Sequence, residues 1–150
     1  MNPLYARGHD ESKKQQVIAN SPCQTTNRLF IIPMYLESHW AGVVLDYEKR
    51  KATMFDPAQT MTNYKEISKI LDKYFGGYTE TLDPIHQRAP RQEDINSCGP
   101  LTLLFFECAV RGIPVPKVSS EQVEYLRFRY FFLSSKGVFC RNPGVTMNDS

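Results

Sequence analysis

Tryptophan and histidine are scarce in this 150-residue chain: Trp40 is the only tryptophan, and His9, His39 and His86 are the only histidines. All three histidines precede Cys98, so a cysteine nucleophile there with a histidine base requires the chain order His before Cys. That order excludes papain-like layouts, in which the cysteine comes first. The four cysteines, Cys23, Cys98, Cys108 and Cys140, form no CxxC pair and share no ligand spacing with a histidine pair. A zinc site and a disulfide framework are therefore not expected, and the thiols read as free. Long apolar runs are missing too. Runs such as Leu103-Leu104-Phe105-Phe106 fall far short of the roughly twenty residues that cross a bilayer, so no membrane partner is expected. The first twenty residues are polar and lack the apolar centre of a secretory signal, which points to an intracellular address, cytoplasm or nucleus. Eighteen Lys and Arg against sixteen Asp and Glu leave a net charge of +2, with the basic residues scattered from Arg7 to Arg141. No block or stripe suits a nucleic-acid backbone, and that partner is not expected either.

What remains is the composition of one ordinary domain, 41% hydrophobic and long enough to bury roughly two thirds of its unfolded surface without staples. Residues 1–27 read as a polar amino-terminal arm and residues 28–150 as a single compact domain, a monomer by default. Residues 29–32 are apolar and partly β-branched, a strand that Pro33 should cut short. Residues 40–46 and 51–56 read as two antiparallel strands joined by the charged turn 47–50. Asn63 with Glu66 three residues on suggests a capping box, after which Ile67, Ile70, Leu71, Tyr74 and Phe75 recur at helical spacing until Gly76-Gly77. This predicts an amphipathic helix of about four turns. Residues 79–85 read as extended and 88–97 as a polar loop. Residues 98–111 are apolar around most of the circumference and stop at Gly112, which predicts a buried helix. Ser119 with Gln122 starts a last helix, through Val123, Leu126, Tyr130 and Phe131. The order predicts an α+β domain in which a small mixed or antiparallel sheet packs against helices, with Cys98 at the amino terminus of a buried central helix.

Cys98 is the residue through which the chemistry enters. Gly99 and Pro100 follow it, and at a helix start unpaired N–H groups and the helix dipole favour a thiolate. Gly99 would let a substrate backbone approach closely. Cys108, deep in the same helix, reads as a buried structural thiol. If residue 46 pairs with 51, Ala41 faces Asp56, and Asp56 lies diagonal to His39 on one face, about 7–8 Å away between backbones. An aspartate there would orient the imidazole and stabilise its protonated form. Asp46 falls on the other face and reads as a solvated strand end. Gln92, six residues before Cys98, could fold back so that its amide joins the Cys98 N–H in donating to an oxyanion. His86 reads as an exposed loop residue, and His9 belongs to the arm.

Taken as an ordered set, His39-Trp40, Asp56, Gln92 and Cys98-Gly99 resemble the Ulp/SENP-type cysteine proteases and their adenovirus-protease relatives. The resemblance runs over roughly residues 29–112. It implies that Cys98 is the nucleophile, His39 the general base and later acid, Asp56 its orienter and Gln92 the oxyanion donor. Trp40 matches the tryptophan that covers a narrow channel for a small-residue, typically diglycine, tail. Ser97 stands where many members have aspartate, only 38 residues precede His39, and the lone tryptophan leaves no second one for the opposite channel wall.

The function so implied is a cysteine peptidase or isopeptidase, without cofactor or metal. It would act on a ubiquitin-like protein (SUMO-like, NEDD8-like or ubiquitin) or its conjugates. Alternative readings are a viral or mobile-element maturation protease of the same clan, an acetyltransferase built on the same triad with coenzyme A as acyl donor, and an inactive modifier-binding module.

Overall fold

Alternation of side chains along three consecutive strands decides which layer each residue of this protein joins. The computed structural model describes residues 11–19 and 27–136. After helix α1 (Glu11–Ala19), strands β1 (Leu29–Leu36), β2 (His39–Asp46) and β3 (Lys51–Phe55) run antiparallel in order, and β4 (Asp83–Gln87) adds parallel to β3. Helix α2 (Met61–Thr79) joins β3 to β4, and α3 (Cys98–Arg111) and α4 (Ser120–Ser135) follow. Ile32, Met34, Ala41, Val43, Leu45 and Met54 face α2, against Tyr64, Ile67, Leu71 and Phe75. The opposite side chains, Val44 and Phe55, meet Leu101 and Phe105 of α3 and Val123 of α4. The sheet is thus covered on both faces, an α+β arrangement as the sequence predicts.

Several local expectations shift. β1 runs through Pro33 to Leu36, because β1 is an edge strand and needs its N–H groups on one side only. Glu37 and Ser38 then turn the chain with φ of 26° and 66°, a two-residue hairpin that makes His39 the first residue of β2. The cap of α2 is Thr60 rather than Asn63, its hydroxyl accepting from the Asn63 N–H. The helix also passes through Gly76 and Gly77. Each glycine costs about 1 kcal/mol, but Phe75, 1% exposed, and Tyr78 on either side pack into the core and hold the turn helical. Residues 79–82 complete the helix and a turn, so the extended segment begins only at Asp83. Asp46 is buried rather than solvated, accepting from the Lys49 N–H inside the hairpin turn. His86 lies in β4, half-buried and stacked on Tyr64 with ring centroids 4.1 Å apart, not in an exposed loop.

Contact between β2 and α3 sets the distance between the two elements that matter most below. Gly42 lies under α3: a Cβ there would overlap Phe106 Cζ and sit 3.2 Å from Thr102 Cγ2. Thr102 also donates to the Trp40 carbonyl at 3.3 Å. Gly42→Ala must push α3 off the sheet or displace the Phe106 ring, and is expected to cost about 1–3 kcal/mol of stability. Urea denaturation checks this; a loss under about 0.3 kcal/mol would show that the ring moves freely.

Candidate active site

Three elements end at one place. The β1–β2 hairpin delivers His39, the end of β3 delivers Asp56, and the start of α3 delivers Cys98. The register of β2 and β3, with Asp46 opposite Lys51 and Gly42 opposite Phe55, is the one the 46/51 pairing predicts. It carries Asp56 to the α2 face, where His39 Nε2 and Asp56 Oδ1 are 2.6 Å apart.

Asp56 is fully buried, yet its carboxylate is saturated with donors. Oδ1 accepts from the Ala58 N–H at 2.9 Å, and Oδ2 from the Thr60 N–H at 2.8 Å, Asn63 Nδ2 at 3.1 Å and the Thr60 hydroxyl at 3.3 Å. Burial pushes this carboxyl up, but the hydrogen bonds from His39, Thr60 and Ala58 outweigh it and hold the group below the usual carboxylate range. Asp56 is therefore an anion at neutral pH, seated at the amino terminus of α2 where the helix dipole favours negative charge. Thr60 and Asn63 are site residues that the sequence pattern did not reveal, since Asn63 reads equally well as part of a capping box. The signal available was the aspartate itself, four residues before a threonine that opens a helix, a spacing at which a side chain reaches back to the turn.

His39 has Nε2 committed to Asp56, which leaves Nδ1 as the nitrogen for a second partner. That partner is Cys98. The hydrogen bond to Asp56, and after it the one to Cys98, raise His39 to about 9 against the opposing effect of burial. The effect is mutual: the His39 contact lowers the Cys98 thiol in spite of burial, and the backbone N–H groups of Trp40 and Gly99 add to it. Both shifts favour a thiolate–imidazolium pair, the state in which a cysteine attacks a carbonyl without a separate deprotonation step. Cys108, by contrast, is 2% exposed and its thiol is raised by burial, as a structural cysteine should be. Cys23, Cys140 and His9 lie outside the described residues.

Around this centre Trp40 meets Tyr35 edge to face, with ring centroids 4.9 Å apart. Trp40, Gly99, Thr102, Leu103 and Phe106, with Ile31 and Pro33 of β1, line an open apolar hollow of about 460 Å³ that reaches Gly99, the residue after Cys98. A Cβ on Gly99 would reach Trp40 Cδ1 at 3.9 Å, an ordinary contact, so packing alone does not require glycine there. Gln92 is tied to the end of β3 by its N–H, which donates to the Pro57 carbonyl at 2.8 Å. Its Oε1 is buried and has no hydrogen-bond partner among the described residues. The structure therefore sets His39 on Asp56 and close enough to Cys98 for each to shift the other, with Trp40 and Gly99 beside them. It holds Gln92 by its main chain to Pro57, the residue after Asp56. Among the described residues, no group of three or more His, Cys, Asp or Glu side chains is placed to hold a metal ion.

No curated protein sequence matches the chain. Among solved structures, the C-terminal Ulp1 protease domain in complex with Smt3, the yeast ortholog of SUMO, superposes with a TM-score of 0.71 at 18% identity, covering 92% of this chain and 68% of that one. SUMO protease Ulp1 with its catalytic cysteine oxidised to a sulfonic acid gives 0.69 at 17% identity, covering 92% and 69%. The Rickettsia bellii effector protein RickCE gives 0.65 at 20% identity, covering 83% and 55%. At these identities the likeness is one of fold. Sequence goes further, because the profile of the Ulp1 protease family, C-terminal catalytic domain, matches residues 10–141. The chain belongs to the Ulp1 family of cysteine proteases.

Proposed function

We propose that this chain cleaves the bond between the small-residue carboxy terminus of a SUMO-like modifier and a lysine side chain, with Cys98, His39 and Asp56 as its catalytic triad. The observation that carries the reading is the 2.6 Å contact between His39 Nε2 and the buried Asp56, which fixes the ring so that its other nitrogen serves Cys98. The choice of modifier is supported by the similarity in fold to SUMO proteases. The Cys98 thiolate attacks the carbonyl carbon of the terminal glycine, and the carbonyl oxygen becomes an oxyanion. Collapse of that intermediate breaks the C–N bond, and the His39 imidazolium gives its proton to the departing lysine amine. Water then adds to the thioester while His39 takes up its proton. Breakdown frees the modifier's carboxylate and returns the Cys98 thiolate.

The test is adduct formation by intact mass, mixing the protein with electrophilic carboxy-terminal probes of SUMO, NEDD8 and ubiquitin beside Cys98→Ala. An adduct with the SUMO probe that the variant lacks supports the reading. An adduct with another probe alone would replace the modifier, and none with any probe would turn the reading toward a peptide-maturing protease. Within this scheme Gln92 donates to the oxyanion. Gln92→Ala is expected to lower kcat by about 10²–10³ with little change in KM; a change below threefold would leave Gln92 as a loop residue.

A further inference from the structure

Serine is among the strongest helix-capping residues, yet Ser97, at the cap position of α3, makes no side-chain cap. The starts of α2 and α4 behave differently. Thr60, with ψ of 139°, and Ser119, with ψ of 165°, are extended, and their hydroxyls accept from the N–H three residues on. Ser97 sits at φ −90° and ψ 0°, and its hydroxyl is engaged elsewhere. It donates to Asp94 Oδ2 at 2.7 Å and accepts from Arg127 Nη2 of α4 at 3.2 Å. Asp94 also binds the Asn96 N–H at 2.7 Å and the Ser97 N–H, which holds the Ser97 backbone out of the extended conformation that a cap needs.

The identity of the next three residues gives this diversion a consequence. A capping hydroxyl takes the N–H of the second or third helical residue. In α3 the third is Pro100, which has no N–H, so the only available donor is Gly99. That same N–H, with the N–H of Trp40, is one of the backbone groups that lower the Cys98 thiol. Ser97 Oγ and Cys98 Sγ are thus rivals for a single N–H group.

We propose that Asp94 and Arg127 are positioning residues for Cys98: by holding the Ser97 hydroxyl away from the start of α3, they reserve the Gly99 N–H for the sulfur. This rests on Cys98 being the nucleophile. The charged groups around this turn are Glu93 and Asp94 of the loop, Arg127 and Glu124 of α4, and His39 of β2, backed by Asp56. Glu93 accepts from Ser120 and Glu124 pairs with Arg127.

A simple charge effect and the tether predict opposite signs. Removing the Asp94 carboxylate from near a thiolate would by Coulomb's law make the thiol more acidic. Releasing the Ser97 hydroxyl onto the Gly99 N–H would make it less so. The experiment follows iodoacetamide alkylation of Cys98 by peptide mass as a function of pH, which needs no substrate. Asp94→Ala is expected to move the midpoint up by about one pH unit, and Arg127→Met to move it the same way. The double variant Asp94→Ala/Ser97→Ala, with no hydroxyl left to compete, should return to the wild-type midpoint. An unchanged or lowered midpoint in Asp94→Ala, or a double variant that stays with the single, overturns the proposal. Wild-type circular dichroism in each variant separates the effect from misfolding. Failure of the triad reading would look different, as probe turnover surviving in Cys98→Ala.

Discussion

Cys98→Ala is expected to reduce hydrolysis of a SUMO–lysine conjugate by about 10⁴-fold or more while leaving the affinity for the modifier unchanged. No other described thiol can take over. Cys108 lies ten residues further along the same helix, buried against Leu104 and Leu126, and its thiol is raised rather than lowered. Cys98→Ser is expected to fail nearly as completely. A hydroxyl in the same place is too weak an acid for the His39 contact and two N–H donors to ionise, whereas a thiol starts within reach of neutral pH. Two measurements separate the quantities: in single-turnover kinetics with excess enzyme the rate should vanish, while a direct binding titration with labelled modifier should give an unchanged Kd. Activity within tenfold of wild type in a clean preparation of Cys98→Ala would remove Cys98 as the nucleophile.

Much of this site is legible in the amino-acid sequence alone, and the reason is local. His39, the turn at 47–50 and Asp56 lie on one hairpin, where turn length fixes register and period-two alternation fixes the face. Cys98 and Gly112 bracket an apolar segment whose start and stop signals agree with its periodicity, so α3 is legible at both ends. The Ser119–Gln122 capping box likewise marks α4 correctly. Where expectation and structure differ, the deciding partner lies far along the chain. Pro33 is tolerated because, among the described residues, no strand lies beyond β1, and α2 runs through two glycines because the sheet face packs Phe75 and Tyr78. Neither fact is written in the neighbouring residues. The parallel pairing of β4 with β3 is non-local in the same way, joining strands separated by the whole of α2.

The polar shell around the candidate site is the least legible part. Asn63 has two uses open to it, capping its own helix or bonding a carboxylate seven residues back, and only the tertiary fold shows that its side chain does the second. Ser97 and Arg127 are thirty residues apart and meet because α4 packs on α3. Hydrophobic pattern predicts that two helices pack, but not which of their polar side chains end up facing each other across the seam. The candidate catalytic residues thus follow from the ordered set, while the groups packed around them emerge only from the tertiary fold.

His39→Ala is expected to lower turnover by about 10³-fold or more, because it removes the proton donor to the leaving amine and at the same time the main cause of Cys98's acidity. The second loss can be read alone: alkylation of Cys98 at pH 7 should slow about tenfold or more as the thiol returns toward its ordinary value. In the wild type the rate should rise with pH as Cys98 ionises and fall as His39 loses its proton near pH 9, the two limbs belonging to the coupled pair. Asp56→Asn removes the largest cause of the raised His39 value, so its falling limb should move to lower pH, with a smaller loss of turnover than in His39→Ala. The same shift bears on stability. The folded value lies above the ordinary 6.5, so the pairing stabilises the fold fully below about pH 6.5, and this contribution fades as pH rises through about 9. His39→Ala should therefore cost more stability at pH 6 than at pH 10. Equal losses at both would mean that His39 keeps its ordinary value in the folded protein and is largely neutral above pH 7. In that case the thiol must be deprotonated during the attack itself, and the alkylation profile of the variant would overlay that of the wild type.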